Sequence, residues 1–249
     1  MIRKCFKLVL VLSVLICSNL IGDDSTKKIK ELKDVKTDQD FNIFFAFYYL
    51  NPRPDLINNS LKYIVLKELN KDGGFEKHFV SFYSYLFKQQ PQEIDNFLKK
   101  LPKLTDDDLY NICVALYFSN SNEANLKIDE LVKKISNEQV ALSIKKIRES
   151  EPKEFLEYKQ ITPFLLDVYW RRYFVSGNNE YIKKIIAATK ENKSNFGTIA
   201  VYTSAQWSLK ANARVHRRIY NLCKSEYENA DDDVKIFLAE VVKAGCENE

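Results

Sequence analysis

Histidine, cysteine and serine are the side chains that most often bind metals or act as nucleophiles, and none stands in a recognisable motif here. The two histidines, His78 and His216, are 138 residues apart, and neither has a cysteine or carboxylate at the spacing of a zinc motif. The serines lack the Gly-x-Ser-x-Gly and Ser-x-x-Lys contexts of activated nucleophiles. Gly73-Gly74 and Gly177 do not form a phosphate-binding loop. The sequence therefore predicts no catalytic residue, no metal site, no cofactor and no enzymatic activity.

Clustered carboxylates could bind a metal or act as general acids, and the chain has two runs of three aspartates. Asp106–Asp108 and Asp231–Asp233 each follow a break in the apolar pattern and precede an apolar stripe of helical spacing. Acidic residues at that position accept hydrogen bonds from free backbone N–H groups and complement the helix dipole. We expect both runs to cap helices.

A cluster of cationic and aromatic side chains in the C-terminal third is the strongest candidate for binding chemistry. In the helix predicted after Ala211, Val215 and Ile219 lie on the core stripe, so the arginines of that helix must largely point away from it. Arginine forks bind carboxylates and phosphates, which suits an acidic protein segment, an anionic glycan or a lipid headgroup. The predicted binding residues are Arg171, Arg172, Trp207, Asn212, Arg214, His216, Arg217 and Arg218.

The alternative interpretation of this cluster is a solvated helix face. Asp167 and Arg171 are spaced i, i+4, as in an ion pair within one helix. Trp170 and Trp207 are then expected to pack in the core, because large aromatic side chains usually stabilise helix packing. Both interpretations stay open at the level of the sequence.

The cysteines point to packing rather than reactivity. Cys113 and Cys223 fall on apolar stripes, where a free cysteine behaves as a small hydrophobic residue. Cys223 and Cys246 could pair in an oxidising compartment. Helices near 212–228 and 231–244 would place them at different heights, so a disulfide requires the chain to fold back at Gly245.

The elements that position these residues are all predicted to be helices. Phe41, Phe44, Phe45 and Tyr48 fall at i, i+3, i+4 and i+7, and a chain with 6 Gly and 6 Pro suits long packed helices. No segment alternates with period two for long enough to be a strand. The predicted helices are Asp38–Leu50, Asp55–Leu69, one from Phe75, one from Pro91, and then about 106–119, 123–135, 137–149, 163–175, 179–191, 196–210, 212–228 and 231–244.

An internal repeat organises the first half of these helices. Phe45–Ile64 aligns with Phe82–Leu101 at an offset of 37 with seven identities in 20, and Ile94–Leu101 resembles Ile128–Ile135 at an offset of 34. Spacings of this size between helix pairs are typical of an α-solenoid. The helix-pair rhythm resembles the tetratricopeptide class of repeats, although the chain lacks that class's Trp, Leu-Gly and Ala pattern. The resemblance implies an α-α superhelix, a right-handed solenoid of stacked helical hairpins.

A second resemblance lies in the C-terminal third. Leu166–Trp170, Phe174–Gly177 and Ala205–His216 are similar to segments of a group of exported bacterial proteins of unknown function. This resemblance implies export and a helical fold, and it implies no mechanism.

The first 22 residues predict export. Arg3, Lys4 and Lys7 precede the apolar run Leu8–Cys17, and more polar residues follow, which is the order of a secretory signal peptide. The run is shorter than the roughly 20 residues that span a bilayer. A cleavable signal is favoured, and an uncleaved anchor or a lipidated Cys17 is the alternative. The predicted organisation is signal peptide 1–22, polar tether 23–37 and helical-repeat domain 38–249, with a sub-boundary near 150–162 left open. For Asp23–Lys36 a frayed helix is the alternative to a tether.

Removing the signal peptide changes the charge of the chain. Its three cations leave 35 Lys and Arg against 34 Asp and Glu, a net charge of about +1. A chain with so small a net charge is not expected to bind nucleic acid. Once the signal peptide is cleaved, no stable insertion into a membrane is expected.

The favoured function is a protein-interaction module or scaffold in the periplasm or the secreted medium, with a protein partner. Two alternatives are a cell-envelope enzyme with an unrecognised active site and an exported host-directed factor, the latter suggested by the frequent Lys, Asn and Ile.

Overall fold

The protein is all-α. The computed structural model describes residues 24–71, 74–150, 161–190 and 196–246, and within these ranges it contains 13 α-helices, several short 3-10 turns and no β-strand. The all-α class expected from the apolar periodicity is therefore confirmed. The chain divides into two compact units: the N-terminal unit holds the described residues of Leu32–Glu157, and the C-terminal unit holds those of Tyr158–Glu249 together with the first helix, α1 (Asp24–Glu31).

Seven helices build the N-terminal unit. They are α2 (Asp38–Phe47), α3 (Ile57–Leu66), α4 (Phe75–Gln89), α5 (Ile94–Phe97), α6 (Asp106–Ser119), α7 (Asn122–Val132) and α8 (Glu138–Glu149). Helix α4 packs along α6 and touches α2 through aromatic rings, while α5 contacts both α3 and α7. Alternate helices thus form two layers, with α2, α4 and α6 in one and α3, α5 and α7 in the other.

Local sequence signals explain where these helices begin. Thr37 and Thr105 each form a capping box with an aspartate three residues later, which satisfies free N–H groups in the first turn of α2 and α6. Pro54 and Pro91 each open a 3-10 turn that leads into a helix, because a fixed φ suits the first turn.

The core of the N-terminal unit is aromatic. Phe44, Phe82 and Phe87 are fully buried, and the ring centroids of Phe45 and Phe82 lie 4.3 Å apart. The phenylalanine stripe of α2 therefore joins neighbouring hairpins, and contacts of this kind contribute about 0.5–1.5 kcal/mol each beyond area burial. Cys113 lies in the same core as a buried free thiol, as expected from its apolar stripe.

The C-terminal unit contains helix α1 and five further helices. These are α9 (Pro163–Ser176), α10 (Glu180–Ala187), α11 (Phe196–Ala213), α12 (Arg217–Asn229) and α13 (Asp232–Cys246). Helix α11 is central, because it packs against α9, α12 and α13. Gly177 ends α9 with a φ of 68°, a conformation that glycine adopts without steric cost.

Two stretches differ from the sequence-based expectation or extend it. The helix predicted from residue 212 begins at Arg217 instead, because α11 continues to Ala213 and a turn follows. In the segment predicted as a polar tether, residues 24–31 form α1, and Leu32 and Val35 are buried. Within the N-terminal unit, Arg53 donates from Nη1 to the carbonyl oxygen of Leu32 at 2.6 Å.

Candidate functional site

The structure divides the eight predicted binding residues by exposure. All eight lie on α9, α11, α12 or the turn between α11 and α12. Four are exposed, namely Trp207, Arg214, Arg217 and Arg218, whereas Arg171 is half-buried and Arg172, Asn212 and His216 are buried. The exposed four therefore lie at the surface of the C-terminal unit.

Asn212 and His216 shape the turn between α11 and α12. The carbonyl oxygen of Asn212 accepts from the N–H groups of Val215 (3.1 Å) and His216 (2.8 Å), and its amide Nδ2 donates to the carbonyl oxygen of Ser208 at 2.8 Å. The carbonyl oxygen of His216 accepts from the N–H of Ile219 at 2.9 Å and so starts α12. These two predicted residues position the arginines through the backbone.

Phe174 is the point where α9 meets this turn. Its ring stacks on Trp170 at 5.7 Å and lies 5.1 Å from the imidazole of His216, while the guanidinium of Arg171 lies 5.8 Å from the ring centroid. Trp170 is 5 % exposed, which confirms the expectation that it packs in the core.

Burial sets the charge of the groups around Phe174. Loss of hydration lowers the pKa of His216 to about 3, so its imidazole is neutral at neutral pH. Burial also lowers the pKa of Arg171 to about 10, although the charge of Asp167 opposes the shift, so Arg171 stays protonated. His216 therefore packs as a neutral ring and adds no positive charge to the predicted cluster.

The exposed residues form what we call the basic aromatic surface, defined by Trp207, Arg214, Arg217 and Arg218. Trp207 is 39 % exposed, so the interpretation of this residue as core is wrong. The N–H of Arg214 still bonds the carbonyl oxygen of Lys210 at 3.4 Å, which continues the spiral of α11. Two helical turns separate residues 207 and 214, so they lie on one side of that helix.

Arg217 is held in place by an aromatic ring. Its guanidinium carbon lies 4.8 Å from the ring centroid of Tyr220, within the range of a cation–π contact. The stretch from Phe196 to Ser225 contains five Lys and Arg and no Asp or Glu. This stretch is therefore rich in positive charge, although one of its cations, Lys210, pairs with Glu240 of α13 at 3.1 Å.

The two aspartate runs cap helices, as expected. The carboxylate of Asp108 accepts from the N–H of Thr105 at 2.9 Å, and Asp231 accepts from the N–H of Val234 at 3.1 Å. Within the described ranges, no group of three His, Cys, Asp or Glu side chains lies close enough together to hold a metal ion.

The described cysteines are buried thiols. Burial raises the pKa of Cys113 and of Cys223 to about 12, which disfavours the reactive thiolate. Cys223 is a free thiol, and the side chain of Cys246, its suggested partner, lies outside the described residues. The predicted signal peptide also lies outside them. Among the helices that the structure describes, none is long and apolar enough to cross a bilayer.

Sequence reasoning missed a cleft in the N-terminal unit. It has a volume of about 670 Å³ and lies between α7 and the segment Leu98–Leu104, which follows the short helix α5. Its lining includes Lys99, Lys100 and apolar side chains of α6. The available signal was Pro102, which prevents α5 from continuing.

Comparison with known proteins gave no match to a protein-family model, to a curated protein or to a solved structure.

Proposed function

We propose that this chain is an exported protein-interaction module whose basic aromatic surface binds an acidic segment of a protein partner. The observation that carries the proposal is the exposed indole of Trp207 on the same side of α11 as Arg214. Tryptophan and arginine dominate the binding energy of protein interfaces, because one buries a large rigid ring and the other pairs with carboxylates.

The arginines fit an acidic partner for two reasons. Arg217 is already stacked on Tyr220, so part of the entropy cost of ordering its side chain is met before binding. The stretch from Phe196 to Ser225 also supplies five Lys and Arg and no Asp or Glu, a composition that favours an anionic partner. Paired carboxylates of a partner would form charge-assisted hydrogen bonds with these guanidinium groups.

We further propose that the helices stack as hairpins of a tetratricopeptide-like right-handed solenoid. Support comes from the two alternating layers of the N-terminal unit and from Ile57 and Ile94, 37 positions apart, which both begin a helix after a proline-led 3-10 turn. In a solenoid each hairpin contacts only its neighbours, so an added copy should be tolerated. Duplicating residues 38–74 should keep the far-UV circular dichroism per residue and cooperative urea unfolding. Loss of either would refute a modular repeat.

The proposal of export, to the periplasm or the medium, rests on the order of charges and apolar residues in Met1–Gly22. Residues 1–30 fused to a reporter that is active only outside the cytoplasm should give activity. The matched control replaces Leu10 and Val11 with arginine, which breaks the apolar run. Equal activity of the two fusions would contradict the proposal.

Site-specific photo-crosslinking tests the surface directly. A benzoylphenylalanine replacing Trp207 should capture a discrete partner in the native cells, whereas the same group at Leu126, which is 72 % exposed in the N-terminal unit, should not. Identical products from both positions would mean that the capture reports exposure alone.

The captured partner is then purified and its affinity is measured. The triple variant with alanine at Arg214, Arg217 and Arg218 should bind it about 10- to 100-fold more weakly. A charge-matched control replaces three exposed lysines of the N-terminal unit, Lys103, Lys133 and Lys146, with alanine. An equal loss of affinity in both triple variants would mean that only the overall charge of the protein matters, and it would refute the proposed site.

A further inference from the structure

The layer formed by α3, α5 and α7 is uneven. Helix α5 has 4 residues, whereas α3 has 10 and α7 has 11. The left-handed conformation of Lys100 ends this helical stretch, and Pro102 keeps the helix from resuming, because proline removes a helical hydrogen bond and disfavours the helical conformation at the residue before it. The position 37 residues earlier is Val65, which lies inside α3. The second hairpin thus lacks helical turns that its neighbours keep.

A strap replaces the missing turns. Residues Leu98–Leu104 leave α5 through Lys100, whose φ of 53° turns the chain, and they run without helical structure to Thr105. Asn58 of α3 fixes the start of the strap by donating from Nδ2 to the carbonyl oxygens of Phe97 (2.7 Å) and Lys99 (2.8 Å). The strap is therefore tethered to a neighbouring helix at its start.

The cleft between the strap and α7 has an apolar floor. Leu109 and Ile112 of α6 and Leu131 of α7 are buried and line it, and leucines of the strap form the facing wall. Its volume of about 670 Å³ falls within the roughly 300–1,000 Å³ of small-molecule sites. An apolar chain of moderate length fits such a space.

The rim of the cleft is positively charged. Lys127 lies between Asp95 (2.6 Å) and Glu130 (2.5 Å), and Lys134 contacts Glu130 at 2.9 Å. The two lysines lower the pKa of Glu130 to about 2, so Glu130 is ionised, and both acids are already paired with lysines.

Lys99 and Lys100 remain on the opposite side of the rim. Both side chains are exposed, and among the described residues neither forms an ion pair. The lining as a whole has four lysines against two acids, and the two acids are matched by Lys127 and Lys134. The unmatched charge beside the apolar floor therefore belongs to Lys99 and Lys100.

We propose that this cleft binds a single-chain anionic amphiphile. The apolar chain lies on Leu109, Ile112 and Leu131, and its carboxylate or phosphate headgroup is bound by Lys99 and Lys100. The site lies in the N-terminal unit and does not depend on the basic aromatic surface, so either proposal can fail without the other.

Calorimetric titration of the purified protein tests the ligand class. Decanoate and decyl phosphate are the probes, with decyltrimethylammonium and decyl maltoside as cationic and neutral controls, all below their micelle concentrations. Saturable binding of one anionic probe per chain is expected, with decanoate and decyl phosphate separating the two headgroups. Equal binding of the cationic probe, or no saturable binding of either anion, would overturn the proposal.

The length of the probe tests the apolar floor. From hexanoate to decanoate, each methylene group that enters the cleft should raise the affinity about threefold to fourfold. An affinity independent of chain length would reduce the site to a surface anion contact and contradict the proposal. Binding of a glutamate-rich amphipathic peptide without binding of decanoate would replace it with protein docking.

Variants of the strap test the headgroup contact. Replacing Lys99 and Lys100 with glutamate should weaken decanoate binding about tenfold, and glutamate is compatible with the backbone of residue 100 because Glu68 has the same φ of 53°. Lys103→Glu is the control, since Lys103 lies on the same strap but does not line the cleft. Circular dichroism verifies that both variants fold, and an equal loss of affinity in both would overturn the assignment.

Discussion

Lowering the pH from 7 to 5 should destabilise the C-terminal unit, and His216 should cause a defined part of the loss. This residue is 3 % exposed and its ring lies 5.1 Å from that of Phe174. Burial lowers its pKa from 6.5 to about 3. Between these two values the unfolded chain binds a proton that the folded chain does not, so the unfolded state gains stability as the pH falls.

The size of the effect follows from the difference in pKa. Each unit of pH below the unfolded value costs about 1.4 kcal/mol of folding free energy, until the folded protein also takes up the proton. At pH 5 the unfolded chain is about 1.5 units below its pKa, so the contribution of His216 is a loss of about 2 kcal/mol. The loss is absent above about pH 6.5 and stops growing near pH 3.

The assay can read this unit alone. The chain has 2 tryptophans, Trp170 and Trp207, and both lie in the C-terminal unit, so their fluorescence reports its unfolding in urea. Wild type is compared with His216→Phe, which keeps a ring against Phe174, and with His216→Gln, which keeps polar atoms. Neither variant can titrate at this position.

Wild type should lose about 2 kcal/mol more than either variant between pH 7 and pH 5. A change in packing shifts a variant's free energy of unfolding equally at both pH values, so it cancels in this comparison. The contribution of carboxylates cancels as well, because they titrate in all three proteins. Parallel pH dependence of the three proteins would refute the reasoning, because it would mean that His216 titrates normally in the folded chain.

Three other perturbations have defined outcomes. Gly245→Ala should lower the free energy of unfolding by about 1–3 kcal/mol in the tryptophan assay, because a Cβ at that position would lie 2.3 Å from Cδ2 of Tyr220. Cys113 and Cys223 should be alkylated in urea without reductant but not in the native protein, as followed by mass spectrometry, because both thiols are buried and their pKa is raised to about 12. Arg218→Glu should raise the free energy of unfolding in urea by about 0.5–1 kcal/mol, because an acid suits the N-terminal end of α12 better than a cation does. The same change should weaken the affinity for an acidic partner, because it replaces a positive charge with a negative one.

Each of these has a control or a contrary outcome. Gly197 is an exposed glycine near the start of α11, so Gly197→Ala should stabilise by about 0.5–1 kcal/mol, and a similar gain at Gly245 would contradict the contact with Tyr220. Rapid native alkylation of Cys113 would show that its helix opens. Failure of Cys223 to react in urea would indicate a disulfide. Lys224→Glu, farther along α12, is the matched control for Arg218→Glu because it lies beyond the first turn.

The sequence was most informative where structure is decided locally. The stripe from Phe41 to Tyr48 predicted the aromatic face of α2, and the run Asp106–Asp108 predicted a cap that the structure contains. Caps and prolines act within one turn of helix, so they can be recognised from the sequence without knowledge of the tertiary contacts. Arg172 could have been recognised as buried, because it falls in register with Leu165 and Val168 on the packed face of α9.

The exposure of Trp207 could not be predicted in the same way. Apolar residues surround α11 on all sides, so no polar face marks the side that meets solvent. Which side is covered depends on where α9, α12 and α13 pack. The turn between α11 and α12 was predicted near residue 211, too early in the chain, because no glycine or proline marks its position. Backbone hydrogen bonds of Asn212 and His216 form it after Ala213.

The position of that turn bears on the proposed binding role. It places Arg217 and Arg218 in the first turn of α12, which contains no acidic residue. The N-terminal end of a helix carries partial positive charge, so a cation there costs about 0.3–1 kcal/mol where an acid would stabilise. Stability alone would favour the opposite charge, as in the first turns of α2 and α6. A pair of cations at this end, one of them stacked on Tyr220, is what a surface selected to bind acidic groups would keep despite the loss of stability.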